Sequence, residues 1–345
     1  MFLKRSKLYY IVENADWSIK WDGIYITKCI QDIYGIKACI DNKYNNIKKS
    51  IIHFGSRNLF LPEAWKEVHK SNRIVFTWFH GTEHDPNVQN QLMIRSLPEA
   101  SAKADIVHTS CTISRDRLVK WGVPEEKVVL IPLGVDNNIF RPVANEYEKK
   151  SVRRKLGIPE SSICIGSFQK DGNGWGNGDD PKLIKGPDIL CEVISELTND
   201  IPIHVLLTGP ARGYVKNSLS KYKIPFTHSY LTNYQDIVKY YQAIDMYFVT
   251  SREEGGPKAI LESMACGIPI ISTNVGMAND IIVNGINGFR VDVEDAAQIK
   301  EFAKLLIEDR SLRQRCVNGG LETAPKYDWS IISQKYYEEI YSKLL

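Results

Sequence analysis

The chain has 345 residues, 43% of them hydrophobic and 25% charged, enough to bury a sizeable core and to divide into two domains. A formal net charge of +3 is too small for a nucleic-acid binder, and no apolar run reaches the roughly 18–20 residues of a membrane span. The seven cysteines are scattered and without CxxC spacing, which fits a reducing compartment and argues against a zinc site.

In chain order, KLYYIVE (7–13) reads as a strand and 23–34 as a helix. KSIIHFGS (49–56), RIVFTWFHG (73–81) and ADIVHTS (104–110) read as further strands, with helical patterns between several of them. VVLIPLGVD (128–136) closes this half, and DNNIFRPVANEYEKK (136–150) reads as a polar linker. The second half opens with a strand at ICIGSFQ (163–169), then a helix near 187–197, a strand IHVLLTG (203–209) and a helix near 234–243. Strands IDMYFVTS (244–251) and IPIISTN (268–274) flank one more helix, and 329–345 is a Tyr-rich amphipathic helix. The expectation is α/β, two doubly wound parallel sheets, whose ligands bind outside the carboxyl ends of the strands.

Charge is unevenly divided, with 20 basic against 15 acidic side chains over 1–145 and 24 against 26 beyond. Lys4, Arg5, Lys7, Lys43, Lys48 and Lys49 suit either an anionic membrane or acidic glycan, or an ordinary solvated surface. The segment 1–10 is too short and too charged for a signal peptide, so a cytoplasmic location is expected, with peripheral contact on the inner face of the membrane through the basic N-terminal domain.

The most informative stretch is Glu254-Gly-Gly-Pro-Lys-Ala-Ile-Leu-Glu262, two carboxylates flanking a helix start just past a buried strand. Gly255 and Gly256 allow a ligand close to the backbone, Pro257 suits a first helical turn, and the unpaired N–H groups there attract phosphate. Glu262 falls outside the apolar arc of that helix, where a solvated surface Glu is the plain alternative. A second feature is the Gly-rich loop 170–182, KDGNGWGNGDDPK, between a strand and a helix. It lacks the Gly-Lys-Ser/Thr of a Walker loop. Trp175 at a ligand position and the missing final Glu exclude an EF-hand. The loop is either a phosphate cradle or a flexible surface loop anchored by a buried Trp175. NADWSIKWDG (14–23) carries no GxGxxG, which weakens a nicotinamide reading.

The segment SREEGGPKAILESMACGIPIISTNVGMANDIIVNGINGFRV (251–291) resembles the donor-binding signature of family 4 (GT4) retaining, nucleotide-sugar-dependent glycosyltransferases. Residues 103–142 resemble the end of that family's first domain, and LIKGPDIL (183–190) its phosphate-binding Lys-Gly segment. The resemblance implies a GT-B fold, two Rossmann-like domains facing a cleft. Residues 1–143 form the acceptor-binding domain, 144–328 the donor-binding domain, and 329–345 a helix crossing back to the first.

It also implies roles. Glu262 takes the ribose diol. Lys185 matches the family lysine on the diphosphate, helped by the backbone of Gly255, Gly256, Pro257 and Lys258. The family arginine is missing, Gln169 and Lys170 standing in its place, so Lys170 becomes a candidate point charge without the guanidinium fork. Glu254 holds the donor sugar's hydroxyls, and His80 contacts that sugar, with His53, His84 and His108 as competitors. In 14–23 only Gly23 matches the family's Gly-rich turn, and Trp17 and Trp21 suit either a sugar face or the core. Ser110 and Arg115 are secondary candidates facing acceptor or phosphate. The implied reaction transfers a hexose-type sugar from a UDP- or GDP-sugar to a glycan or lipid-linked acceptor, in surface polysaccharide or lipopolysaccharide assembly. It needs no cofactor and no metal, the nucleotide sugar being a substrate; Asp179-Asp180 is not a DxD motif. A GT-B epimerase or hydrolase and a non-catalytic glycan- or nucleotide-binding protein remain as alternatives.

Overall fold

The computed structural model describes residues 7–14, 18–85 and 87–345. The chain forms two compact units: Met1–Gly134 with Glu254–Gly256 and Tyr327–Leu345, and Val135–Glu253 with Pro257–Lys326.

The first unit is built on six parallel strands, β1 (Lys7–Ile11), β2 (Lys37–Asp41), β3 (Ile51–Phe54), β4 (Arg73–Thr77), β5 (Ile106–Thr109) and β6 (Val128–Leu130), in the order β2-β1-β3-β4-β5-β6. The inner strands are short apolar runs because helices cover both faces. Strand alternation sends Leu8 and Tyr10 into one cluster with Ile26, Ile30, Trp329 and Tyr336, and Ile11 into the other with Phe54, Phe76 and Leu97. The helix Trp329–Glu339 packs on the helix Ser18–Tyr34, where Tyr25 stacks on Trp329 at 5.2 Å and Tyr34 on Tyr337 at 3.6 Å. Beneath it runs a buried polar chain. His53 Nδ1 meets the Tyr341 hydroxyl at 2.7 Å and its Nε2 meets Thr77 Oγ1 at 2.9 Å. Thr77 Oγ1 in turn meets His108 Nδ1 at 3.0 Å, and His108 Nε2 meets the Tyr336 hydroxyl at 3.0 Å.

The second unit carries β7 (Ile163–Phe168), β8 (Ile203–Thr208), β9 (Phe226–Ser229), β10 (Met246–Val249), β11 (Ile270–Thr273) and β12 (Phe289–Val291), all parallel, in the order β12-β11-β10-β7-β8-β9. The order reverses between β7 and β10, so a crevice for ligands opens beyond the carboxyl ends of those two strands.

Three sequence expectations change. The first helix starts at Ser18, so Trp21 and Gly23 are helical instead of lying in a loop. Within the expected linker begins a helix, Glu146–Lys155, whose buried Arg153 pairs with Asp245 and donates to the Ala243 carbonyl at 2.8 Å. The strand at 73–81 ends at Thr77, leaving Trp78, Phe79 and His80 beyond it. Among the described residues no helix is long and apolar enough to cross a membrane.

Candidate active site

Lys185 owes its place to a turn bound to the end of β10. It closes a short 3-10 helix, Leu183–Lys185, and Gly186 follows with φ 62°, a left-handed conformation. A Cβ on Gly186 would overlap the Thr250 carbonyl oxygen, so only glycine lets the two segments meet. Thr250 Oγ1 donates to the Gly186 carbonyl at 2.8 Å, and the Arg252 amide to the Ile184 carbonyl at 2.9 Å. The Arg252 guanidinium forks onto Asp188 at 2.8 and 2.7 Å and reaches Glu294 at 2.5 Å. That fork holds the Asp188 carboxyl below the usual carboxylate range. Gln169, at the end of β7, donates to the Lys185 carbonyl at 3.1 Å. The half-buried Lys185 thus stands at the switch point of the sheet.

The Gly-rich loop is a built element. Gly172 bridges Pro181, the Asn173 amide bonds the Asp180 carbonyl at 2.9 Å, and Gly178 lies so close to Ala211 that no side chain fits between them. Beneath it Arg212, 1% exposed, donates to the carbonyls of Ser167, Gln169 and Thr208 at 2.7–2.9 Å and pairs with the buried Asp171 at 3.0 Å. Burial raises the Asp171 carboxyl above its usual range, against the pull of Arg212. Trp175 is 67% exposed and is not a buried anchor; the Lys170 ammonium lies 3.8 Å from its ring centre.

Glu262 corrects the picture of a solvated helix face. It is 4% exposed, on the helix Ala259–Ala265. Its Oε2 accepts from the Tyr241 hydroxyl at 2.8 Å and its Oε1 from the Tyr234 hydroxyl. Burial and the neighbouring Glu262 charge push the Tyr241 phenol well above its ordinary range. Pro257 and Lys258 precede that helix, with Lys258 as its N-cap and its ammonium 5.6 Å from the Tyr234 ring centre.

The remaining candidates lie in the first unit. Glu254–Gly256 rests on Phe79, whose carbonyl a Cβ on Gly255 would overlap, and Ser110 Oγ donates to the Gly255 carbonyl at 3.1 Å. His80 is half-buried, its carbonyl accepting from Arg57. His53 and His108 are committed to the buried polar chain; desolvation lowers both, His108 to about 4. Arg115 is exposed and pairs with the adjacent Asp116 at 2.8 Å. Gly23 and Gly55 both close on the Tyr10 ring, and the Trp21 ring lies 6.3 Å from Tyr25. Trp17 lies outside the described residues. Sequence reasoning missed Arg212, Tyr234 and Tyr241, which reach Ser167 and Glu262 across 21–45 residues of chain.

HepE of Anabaena, in a crystal structure with UDP and glucose, superposes with a TM-score of 0.79 at 16% identity over 98% of this chain and 100% of its own. A glycosyltransferase from Rickettsia africae superposes at 0.73 and 18% identity over 99% of both chains. The chain has the GT-B fold.

Residues 182–323, which carry Lys185, Glu254 and Glu262, match the model of the family "glycosyl transferases group 1". The D-inositol 3-phosphate glycosyltransferase of Thermobispora bispora is 24% identical over 257 residues, 70% of this chain and 56% of that protein. An uncharacterized glycosyltransferase of Methanocaldococcus jannaschii is 30% identical over 166 residues, 45% of each. The chain spans about half the length of the curated relatives it matches.

Proposed function

We propose that this chain is a family 4 glycosyltransferase, transferring a hexose-type sugar with retention from a nucleotide-sugar donor to a glycan or lipid-linked acceptor. The observation that carries the proposal is the pairing, in one unit, of a buried carboxylate already accepting two hydroxyls, Glu262, with a lysine fixed at the sheet's switch point, Lys185. Glu262 suits a ribose diol, and Lys185 suits the diphosphate. As the bond to the anomeric carbon breaks, negative charge grows on the leaving diphosphate, and Lys185, Lys170 and Lys258 stabilise it. In a front-face displacement the leaving phosphate accepts the acceptor's proton, so no carboxylate nucleophile and no metal enter the scheme. Glu254 takes hydroxyls of the transferred sugar and steadies positive charge on its ring, with His80 a further contact to that sugar.

UDP-sugars head the donors to test, since HepE was crystallised with UDP, UDP-glucose, and UDP with glucose. Inositol 3-phosphate joins the acceptors on the strength of the relatives' names. Polysaccharide or lipopolysaccharide assembly on the cytoplasmic side of a membrane is the proposed setting. Lys7, Lys43, Lys48 and Lys49 line one surface cavity of the first unit, a basic face suited to anionic headgroups. A thermal-shift screen with UDP-, GDP-, ADP- and dTDP-sugars tests the donor assignment: a shift with one base is expected, and no shift with any would overturn it.

A further inference from the structure

The two hydroxyls on Glu262 reproduce the contact that a vicinal diol makes with a carboxylate, but the tyrosines supplying them are held unequally. Tyr241 is 1% exposed and enclosed by Phe168 at 4.9 Å, Tyr247 at 5.4 Å and Phe140 at 6.0 Å between ring centres. It cannot turn without opening the core. Tyr234 is half-buried, opens the 3-10 helix Tyr234–Ile237 after the largely exposed segment 230–233, and meets Phe140 at 5.9 Å. Rotation of its side chain takes its hydroxyl off Oε1 of Glu262 while Tyr241 stays on Oε2.

We propose that Tyr234 is the exchangeable occupant of the ribose subsite. Its hydroxyl holds Oε1 of Glu262, and a ribose hydroxyl of an incoming ribonucleoside diphosphate takes its place, with Tyr241 as the fixed positioning residue. The proposal rests on the assignment of Glu262 to the ribose. Binding then exchanges one hydrogen bond for another, so the net gain from ribose recognition is small and the product nucleotide leaves readily.

The test is calorimetric titration of the whole chain with whichever of UDP, GDP and ADP stabilises it most, and with the 2′,3′-dideoxy counterpart of that nucleotide. Tyr234→Phe removes the competing hydroxyl and keeps the ring, so the ribonucleotide should bind roughly three- to tenfold more tightly, about the worth of one net hydrogen bond. The dideoxy nucleotide, which displaces nothing, should bind the variant and the wild type equally. Tyr241→Phe should weaken the ribonucleotide, because Glu262 loses its fixed partner. Unchanged or weaker ribonucleotide binding to Tyr234→Phe overturns the exchange, and so does equal tightening of both nucleotides, which would mean that the ring merely blocks space. Failure of all three diphosphates to bind the wild type would instead overturn the donor-site assignment itself.

Discussion

At the scale of single residues, Lys185 and Glu262 should fail differently when removed. In its proposed role Lys185 faces charge that grows as the donor bond breaks, so Lys185→Ala should lower kcat by about a hundredfold with little change in KM. With the proposed ribose contact made in ground and transition state alike, Glu262→Gln should mainly raise the donor KM, by about two- to fivefold. Steady-state kinetics over a range of donor concentrations separate the two. Gly186→Ala should destabilise the chain by about 1–3 kcal/mol, because the left-handed turn and the Thr250 carbonyl leave no room for a methyl group; thermal unfolding checks it. The spacing of Glu254 and Glu262 and the Lys-Gly pair were legible in the sequence. The side chains that hold Glu262 were not, since Tyr234 and Tyr241 come from a different helical segment and only the packed fold brings them to it.

At the scale of elements, the loop 170–182 shows why periodicity is not enough. Its glycines signal turns, yet the loop is ordered by an ion pair whose Arg212 comes from the turn after β8. Asp171→Ala should cost about 3–5 kcal/mol, because it removes the carboxylate paired with the buried Arg212 guanidinium. Chemical denaturation measures it. The strands β2, β9 and β12 escaped the sequence reading because at the sheet edges they lack a sustained apolar run. The helix Glu146–Lys155 looked like a linker because seven of its ten residues are charged, and its anchor is Arg153.

The clamp of the C-terminal helix onto the first sheet carries its own pH signature. His53 and His108 are buried and neutral, with pKa values below the 6.5 of the unfolded chain and about 4 for His108. A depressed folded value means that the unfolded state binds the protons first as pH falls. Each histidine therefore contributes full stability above pH 6.5 and loses about 1.4 kcal/mol per pH unit below it, until its own folded pKa is reached. The melting temperature should fall on acidification from pH 7 to 5, and a His108→Gln variant should show a shallower fall.

At the scale of the whole molecule, the alternating strand and helix patterns made the fold class legible, because parallel sheets need apolar strands and crossover helices. The reversal of strand order between β7 and β10 required the pairing itself. In the proposed reaction this chain moves a sugar from a nucleotide to an acceptor, using Lys185 to neutralise the leaving diphosphate. Mass spectrometry of an acceptor library incubated with the stabilising nucleotide sugar tests it most directly, run in parallel on the wild type and on a folded Lys185→Ala variant. The expected result is an acceptor heavier by one hexose residue, nucleotide released only when that acceptor is present, and transfer reduced about a hundredfold in the variant. Nucleotide release that needs no acceptor, or undiminished transfer by Lys185→Ala, would contradict it.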